Sequence, residues 1–180
     1  DVSKNVISRY TAEEVYDASL VWAKEYDEEL TAMLADKEYA LKVLGIERGN
    51  QKPRKDIAKW SDVKNTIYYM YSDKFDKNGE FEYQKITDKD EIDNIVKTYF
   101  EKYYNPADDK QAWFDKMKDL AEEMGYCREV KEYKANPDAY KGHVGDISTV
   151  IRVKLTGRCN TPDLYEIMQV LGLDEIKNRI

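Results

Sequence analysis

Apolar residues recur at steps of three and four along most of the chain, which is the spacing of amphipathic helices. Only residues 81–86 alternate as a strand would, and they allow either a short hairpin or an irregular excursion. The sequence therefore predicts an all-α, multihelical protein. Its predicted apolar faces lie within residues 15–26, 30–34, 39–44, 63–71, 92–100, 113–124, 147–155 and 164–171.

Polar residues and glycines mark where these helices begin and end. Thr11 and Glu14 predict a capping box at the start of the first helix. The other predicted N-caps are Asp36, Ser61 and either Asp88 or Asp90. The glycines that follow a last apolar turn, and so predict helix ends, are Gly45, Gly125, Gly157 and Gly172. The first helix is predicted to bury Val15, Ala18, Trp22 and Tyr26.

The Asn105-Pro106 pair is the clearest interruption of the helical pattern. We take it as the boundary between two small helical bundles, which gives subdomains 1–106 and 107–180. Residues 126–146 are polar and contain Asn136-Pro137-Asp138, so they are predicted to form a loop.

Residues 147–172 predict two helices around a tight, basic corner. Gly157 closes the first helix, Thr161 is the predicted N-cap of the second, and Pro162 is its predicted first residue. Three cations lie at or beside the corner: Arg152, Lys154 and Arg158. From the residues alone, this corner either serves packing only or presents a positive rim to a partner.

Residues 46–56 form the most polar predicted loop. Residues 42–64 contain seven cations and three anions, whereas the whole chain carries a net charge of −7. Pro53 restricts the residue before it, and Ile57 and Trp60 are predicted to anchor the end of the loop. The loop is therefore either a rigid recognition loop or a solvated basic connector.

The corner resembles a segment of the C-terminal anticodon-binding region of bacterial-type glutamyl-tRNA synthetases. That family has Arg-x-Ala-Leu-Thr-Gly, a short loop, Pro-x-Leu-Phe-Glu and a closing Leu-Leu-Gly. Lys154 departs from the usual small residue, and Tyr165 replaces the usual Phe. The positions that match are Arg152, Leu155, Thr156, Gly157, Pro162, Leu164, Glu166, Leu171 and Gly172.

The resemblance extends to the Pro53-Arg54 loop and to the helix that carries Trp113. It implies that Arg54 reads the anticodon, where a planar guanidinium donates to a base edge and helps to separate tRNA-Glu from tRNA-Gln at the third base. It also implies anticodon contacts by Arg152, Thr161, Pro162 and Leu164. Weaker expectations of phosphate contacts fall on Lys52, Lys55, Lys154 and Arg158. His143 either stacks on a base or is an ordinary loop histidine.

The rest of the composition limits the chemistry. Cys127 and Cys159 lack a partner motif, so they form either a disulfide or two free thiols in a reducing cytoplasm. One histidine and no cysteine pair exclude the common zinc patterns. No apolar run approaches the ~20 residues of a membrane span, and no targeting segment is visible.

The catalytic signatures of a class I synthetase, His-x-Gly-His and Lys-Met-Ser-Lys-Ser, are absent, as is any nucleotide-binding glycine loop. The chain begins at Asp1 without a methionine, and we interpret it as a fragment that lacks the catalytic domain. We expect no catalytic residue, metal site or cofactor in it. The resemblance implies that ATP and magnesium belong to the N-terminal part of a parent ligase.

The expected partners are the tRNA-Glu anticodon stem-loop and the fragment's own N-terminal catalytic domain, in a monomeric, cytoplasmic enzyme. Two alternatives stay open. One is a helical protein–protein adaptor with no role in RNA binding, which the acidic net charge suits. The other is an anticodon-type domain recruited by a paralogue, with a different tRNA or none.

Overall fold

A computed structural model describes residues 2–180, which fold into α-helices joined by turns. No β-strand occurs in that range, and the only pairing of extended backbone there is an isolated bridge between Cys127 and His143. The predicted all-α class is confirmed. The helices are α1 Val2–Ser8, α2 Ala12–Tyr26, α3 Glu28–Met33, α4 Lys37–Leu44, α5 Val63–Ile67, α6 Lys89–Thr98, α7 Lys110–Glu123, α8 Val130–Ala135, α9 Val144–Thr156 and α10 Leu164–Arg179.

Most of the predicted helix ends are confirmed. Thr11 and Glu14 form a reciprocal capping box on α2, with both hydrogen bonds 3.1 Å long. Asp36 caps α4 and Asp88 caps α6, each by accepting a backbone N–H three residues on. Residues 81–86 contain no strand, so the irregular alternative holds there.

Two predicted caps are wrong. Ser61 lies inside a 3-10 turn, Trp60–Asp62, that runs into α5. Thr161 does not cap α10, because Asp163 accepts the Glu166 N–H at 3.0 Å and the helix begins at Leu164. A carboxylate two residues downstream has displaced the hydroxyl that the pattern favoured.

The chain divides into two compact units by its own contacts. The first unit comprises residues 1–76 and 162–171, and the second comprises residues 77–161 and 172–180. The chain returns to the second unit at Gly172, whose left-handed backbone (φ 78°) interrupts α10. Asn105-Pro106 lies within the second unit, and a division into subdomains at that pair stays a prediction.

In the first unit, α2 packs against α3 and α4. The residues that α2 buries are Val15, Tyr16, Ser19 and Ala23. Tyr26, which was predicted to be buried, is 66% exposed, so the predicted buried face of this helix differs from the observed one. The Tyr16 hydroxyl donates to the Leu34 carbonyl at 2.8 Å, which gives this buried ring a polar partner.

In the second unit, α9 packs against α6 and α7. Five of its apolar side chains are fully buried: Ile147, Val150, Ile151, Val153 and Leu155. Each contributes roughly 1.5–3 kcal/mol of transfer free energy, so α9 is the central helix of this unit.

Residues 126–146 are not the continuous loop that was predicted. They contain α8 and a 3-10 turn, Pro137–Ala139. His143 caps α9, because its Nδ1 accepts the Gly145 N–H at 2.9 Å while its own N–H donates to Asp146. The ordinary structural role of this histidine is therefore the one that the structure supports.

Both cysteines carry free thiols, Cys127 within the core and Cys159 partly exposed. None of the helices in residues 2–180 combines the length and the apolar content needed to cross a membrane.

Candidate nucleic-acid interface

The polar loop at residues 46–56 is held at its start by the Arg48 side chain. Its Nε donates to the Leu44 carbonyl at 3.0 Å, and its Nη1 donates to the carbonyls of Ile7 and Tyr10 at 3.0 and 3.1 Å. Leu44 ends α4 and Ile7 lies in the last turn of α1, where a cation is favoured. Burial lowers the pKa of Arg48 from its ordinary value. Arg48 is therefore an anchor of the fold, although it counted among the basic residues of the loop.

Glu47 joins the same loop to the start of α10. Its backbone N–H donates to Glu166 Oε2 at 3.2 Å, and its own Oε2 accepts the Asp163 N–H at 3.2 Å. Glu47 has a left-handed backbone with φ 54°, which is uncommon for a residue other than glycine. The sequence distance spanned is more than a hundred residues, so only tertiary structure creates this link.

Arg54 lies near the far end of the loop, before the buried Ile57. Its Nε donates to Asp56 Oδ2 at 2.8 Å and its Nη2 donates to Asp56 Oδ1 at 3.2 Å. This bidentate pair orients the plane of the guanidinium. The Arg54 side chain keeps 29% of its surface exposed, so the group is oriented and still accessible.

A small cleft of about 60 Å³ lies beneath the loop in the first unit. Arg54, Asp56 and Pro162 all line it, so two of the predicted anticodon-binding residues meet at one place. Its volume is far below the roughly 300–1,000 Å³ of small-molecule pockets. The cleft therefore cannot enclose a ligand of that size, and recognition here would take place at its rim.

The corner after α9 belongs to the second unit as far as Thr161. Gly157 ends α9 in the left-handed region (φ 73°), as the sequence predicted. The Thr156 hydroxyl donates to the Arg152 carbonyl at 2.7 Å and accepts the Arg158 N–H at 3.2 Å. These local bonds determine the path of the chain out of the helix.

Arg152 reaches across this corner to Thr161. Its Nη1 donates to the Thr161 carbonyl at 3.2 Å and also to the Thr161 hydroxyl. Thr161 is only 7% exposed, so its hydroxyl serves this contact inside the unit. The predicted pair of residues is therefore brought together, with Thr161 as an acceptor for Arg152.

Arg179 is a buried residue that holds the end of α9 at this corner. It is 2% exposed, its Nη1 donates to the Leu155 carbonyl at 2.7 Å, and its Nε donates to Glu175 at 3.1 Å. A buried cation at the last turn of α9 satisfies a carbonyl that the helix leaves without a partner.

The remaining predicted residues differ in accessibility. Leu164 is 2% exposed, so its side chain offers almost no face to a base, and any influence on RNA would act through packing. Lys52 and Lys55 are exposed, whereas Lys154 and Arg158 are half-buried. Contacts of all these residues with RNA stay predictions.

Sequence reasoning missed the roles of several residues that shape these sites, although Glu166 was already placed as a position of the motif. Glu47, Asp56, Glu166 and Arg179 each hold a neighbouring group in place. Asp56 lies two positions from Arg54, and that spacing in a polar loop was a usable signal. The partners of Glu47 lie more than a hundred residues away and the Leu155 carbonyl lies 24 residues from Arg179, so no local pattern indicates these contacts. The Arg179–Glu175 pair, four residues apart on α10, was a local signal.

Comparison with known proteins gives two results. Residues 131–180 match the family described as anticodon binding domain. Over its full length the chain is 44% identical to a glutamate–tRNA ligase of Clostridium perfringens and 43% identical to one of Acetivibrio thermocellus, in each case over 33% of that protein. Another, from Sorangium cellulosum, is 40% identical over 99% of the chain and 31% of that protein.

The chain thus spans about one third of the length of the curated relatives it matches. These similarities favour a part of a tRNA ligase over the adaptor interpretation. Residues 131–180 are therefore similar to an anticodon binding domain, in a chain that is similar from end to end to part of the glutamate–tRNA ligases.

Proposed function

We propose that this chain is the anticodon-binding part of a glutamate–tRNA ligase. It binds the anticodon loop of tRNA-Glu, and a catalytic domain elsewhere in the parent enzyme attaches glutamate by using ATP. The observation that carries the proposal is Arg54, a partly exposed arginine whose guanidinium is oriented by Asp56 on a loop anchored by Arg48.

Arg54 supplies the sequence discrimination. Proteins read RNA sequence at unstacked loop bases, whose edges accept hydrogen bonds from a planar fork of donors. Since the Asp56 pair fixes the plane of the guanidinium, the fork meets a base in one orientation. A base with a different arrangement of acceptors on its edge then binds more weakly.

The remaining cations supply affinity. Lys52 and Lys55 are exposed beside Arg54, and Arg152, Lys154 and Arg158 belong to the corner of the second unit. Contacts of such residues with phosphates carry no sequence information but strengthen binding in a salt-dependent way. This arrangement suits an acidic protein that binds one RNA selectively.

The cofactors, the cellular location and the oligomeric state are those that we propose for the parent enzyme. ATP, glutamate and magnesium are bound by the catalytic domain, and this part needs no cofactor. The parent ligase works in the cytoplasm as a monomer, with this part attached to its own catalytic domain.

The test is binding of the chain to the anticodon stem-loop of tRNA-Glu and to the same stem-loop altered at its third anticodon base. We expect the wild type to prefer the native loop, and Arg54→Gln to lose about tenfold of that preference, since one bidentate contact to a base discriminates by about 1–3 kcal/mol. Fluorescence titration at two salt concentrations gives both affinities.

Arg128→Gln is the matched control. Arg128 is also paired with carboxylates, Asp119 and Glu122, but it lies in the second unit outside the corner. This variant should keep the preference of the wild type. Equal binding of both stem-loops by the wild type, or equal loss in the two variants, contradicts the proposed function.

A further inference from the structure

We infer that Glu47 and Glu166 are positioning residues that set the orientation of Arg54 for the anticodon. The inference rests on the proposed function and adds to it the means by which the loop is held. Neither glutamate is expected to touch the RNA.

The geometry is a closed ring of backbone-to-carboxylate hydrogen bonds within the first unit. The Glu47 N–H donates to Glu166 Oε2, the Asp163 N–H donates to Glu47 Oε2, and the Glu166 N–H donates to Asp163 Oδ2. Their lengths are 3.2, 3.2 and 3.0 Å. Each carboxylate in the ring accepts a backbone donor, which is a strong, directional interaction.

The ring joins two segments that both line the cleft under Arg54. One is the loop that begins at Ile46 and carries Arg54, and the other is the segment that carries Pro162. Because Asp163 follows Pro162 directly, the bond from its N–H to Glu47 sets the distance between the loop and the proline. The ring therefore defines the width of the cleft on whose rim a base would lie.

The backbone of Glu47 supports the same conclusion. A non-glycine residue at φ 54° needs compensation from its surroundings. The bond from its N–H to Glu166 supplies that compensation and turns the chain toward Gly49, which is also left-handed at φ 88°. Removal of the Glu166 acceptor would let the start of the loop relax, and the change would reach Arg54 seven residues later.

The test compares Glu166→Ala with Glu166→Gln in the stem-loop titration. Glu166→Ala removes the acceptor, and we expect it to reduce the preference for the native anticodon about fivefold, since base readout requires the donor to be held within about 0.5 Å. Its affinity for the altered stem-loop should change by less than about twofold, because the phosphate contacts remain. Glu166→Gln keeps an acceptor oxygen and should restore most of the preference.

Glu14→Ala is the matched control in the same unit. It also removes a glutamate that accepts a backbone N–H, that of Thr11 at 3.1 Å, but at the start of α2. We expect it to keep the wild-type preference. Hydrogen exchange supplies a second readout, in which the Glu47 amide exchanges faster in Glu166→Ala and recovers protection in Glu166→Gln.

The outcomes separate this inference from the proposed function. If the wild type discriminates and Arg54→Gln does not, but Glu166→Ala keeps full preference, the positioning role is overturned alone. The positioning role is also overturned if Glu14→Ala loses as much preference as Glu166→Ala, or if Glu166→Gln gives no recovery. If the wild type itself does not discriminate, the proposed function fails first.

Discussion

The Arg54 loop and the Arg152 corner of this protein are built in different ways. Arg54 lies in an irregular loop and is held by the carboxylate of Asp56. Arg152 lies on a regular helix and donates to the carbonyl and hydroxyl oxygens of Thr161. The Asp56 acceptor of Arg54 is a carboxylate, whereas the Thr161 acceptors of Arg152 are a carbonyl and a hydroxyl oxygen beside a glycine turn. The difference predicts that the first responds to charge and the second to steric changes.

The loop and the corner also differ in how local their structure is. The hydrogen bonds of Arg152 and Thr156 at the corner join residues at most nine positions apart, although Arg179 and Phe81 also lie against the corner from distant positions. The loop depends on Glu47, whose partners Asp163 and Glu166 lie more than a hundred residues away. A local pattern in a sequence can therefore predict the glycine that ends α9, whereas the loop conformation emerges only when the first unit assembles.

The largest expected effect is steric and falls on the corner. In Gly157→Ala the new Cβ would lie 2.9 Å from Phe81 Cε1, at a residue whose φ is 73°. Both strain and overlap oppose the substitution, and we expect it to lower the free energy of unfolding by about 2–3 kcal/mol. Urea denaturation followed by circular dichroism measures the loss.

Gly49→Ala sharpens this result, because it makes the same change in the Arg54 loop. Gly49 is left-handed as well (φ 88°), but nothing lies within 4 Å of the Cβ that alanine would add. Only backbone strain remains, so the cost should be about 1 kcal/mol. Equal costs for the two substitutions would show that Phe81 does not constrain the corner.

The same contrast explains which elements could be predicted. The Thr11–Glu14 capping box and the Gly157 end of α9 follow from residues within one turn of each other, and both are present. The N-cap of α10 was predicted wrongly because Thr161 already serves Arg152 inside the second unit. Asp163 then takes the capping position. Whether the Thr161 hydroxyl caps α10 or accepts from Arg152 depends on tertiary structure, so a local sequence pattern does not predict it.

The candidate site divides in the same manner. Resemblance to a family placed Arg54 and Pro162, and the structure brings both to one cleft. It did not indicate Asp56 or Glu47, whose contributions depend on the orientation of the loop backbone. For Leu164 the resemblance predicted a contact with the anticodon, but it gave no sign that the side chain is buried.

The next effect concerns an ion pair of the first unit, between Asp27 and Lys64. Asp27 caps α3 and pairs with Lys64 of α5 at 2.9 Å. The hydrogen bond from the Leu30 N–H, and after it the Lys64 ammonium, lower the pKa of Asp27 from its ordinary value of 3.8. A lowered pKa stabilises the fold above the unfolded value, and this contribution is lost as the pH falls through the folded value.

We therefore expect Asp27→Asn to cost about 0.5–1 kcal/mol at neutral pH and to reduce the sensitivity to acid. Asparagine keeps the cap but loses the charge. Between about pH 5 and about pH 3, the Tm of the wild type should fall further than that of the variant. Parallel curves for the two proteins would mean that Asp27 contributes nothing that depends on its ionisation.

The smallest expected effect is on binding and concerns Asp56. In Asp56→Asn the carboxylate beside Arg54 is lost, and the guanidinium can turn toward a phosphate. We expect the affinity for both the native and the altered stem-loop to rise about twofold to fivefold at low salt, with a salt slope steeper by about 0.7. The preference for the native anticodon should fall, because Arg54 is no longer held in one plane.

Glu38→Gln separates this local effect from the change in net charge. Glu38 is an exposed glutamate of α4 that pairs with Lys42 at 3.6 Å in the same unit, and its substitution also removes one negative charge. If Glu38→Gln raises affinity as much as Asp56→Asn does, the gain reflects net charge alone. If only Asp56→Asn gains affinity and loses preference for the native anticodon, then the Asp56 carboxylate lowers the affinity for RNA and raises the selectivity of Arg54.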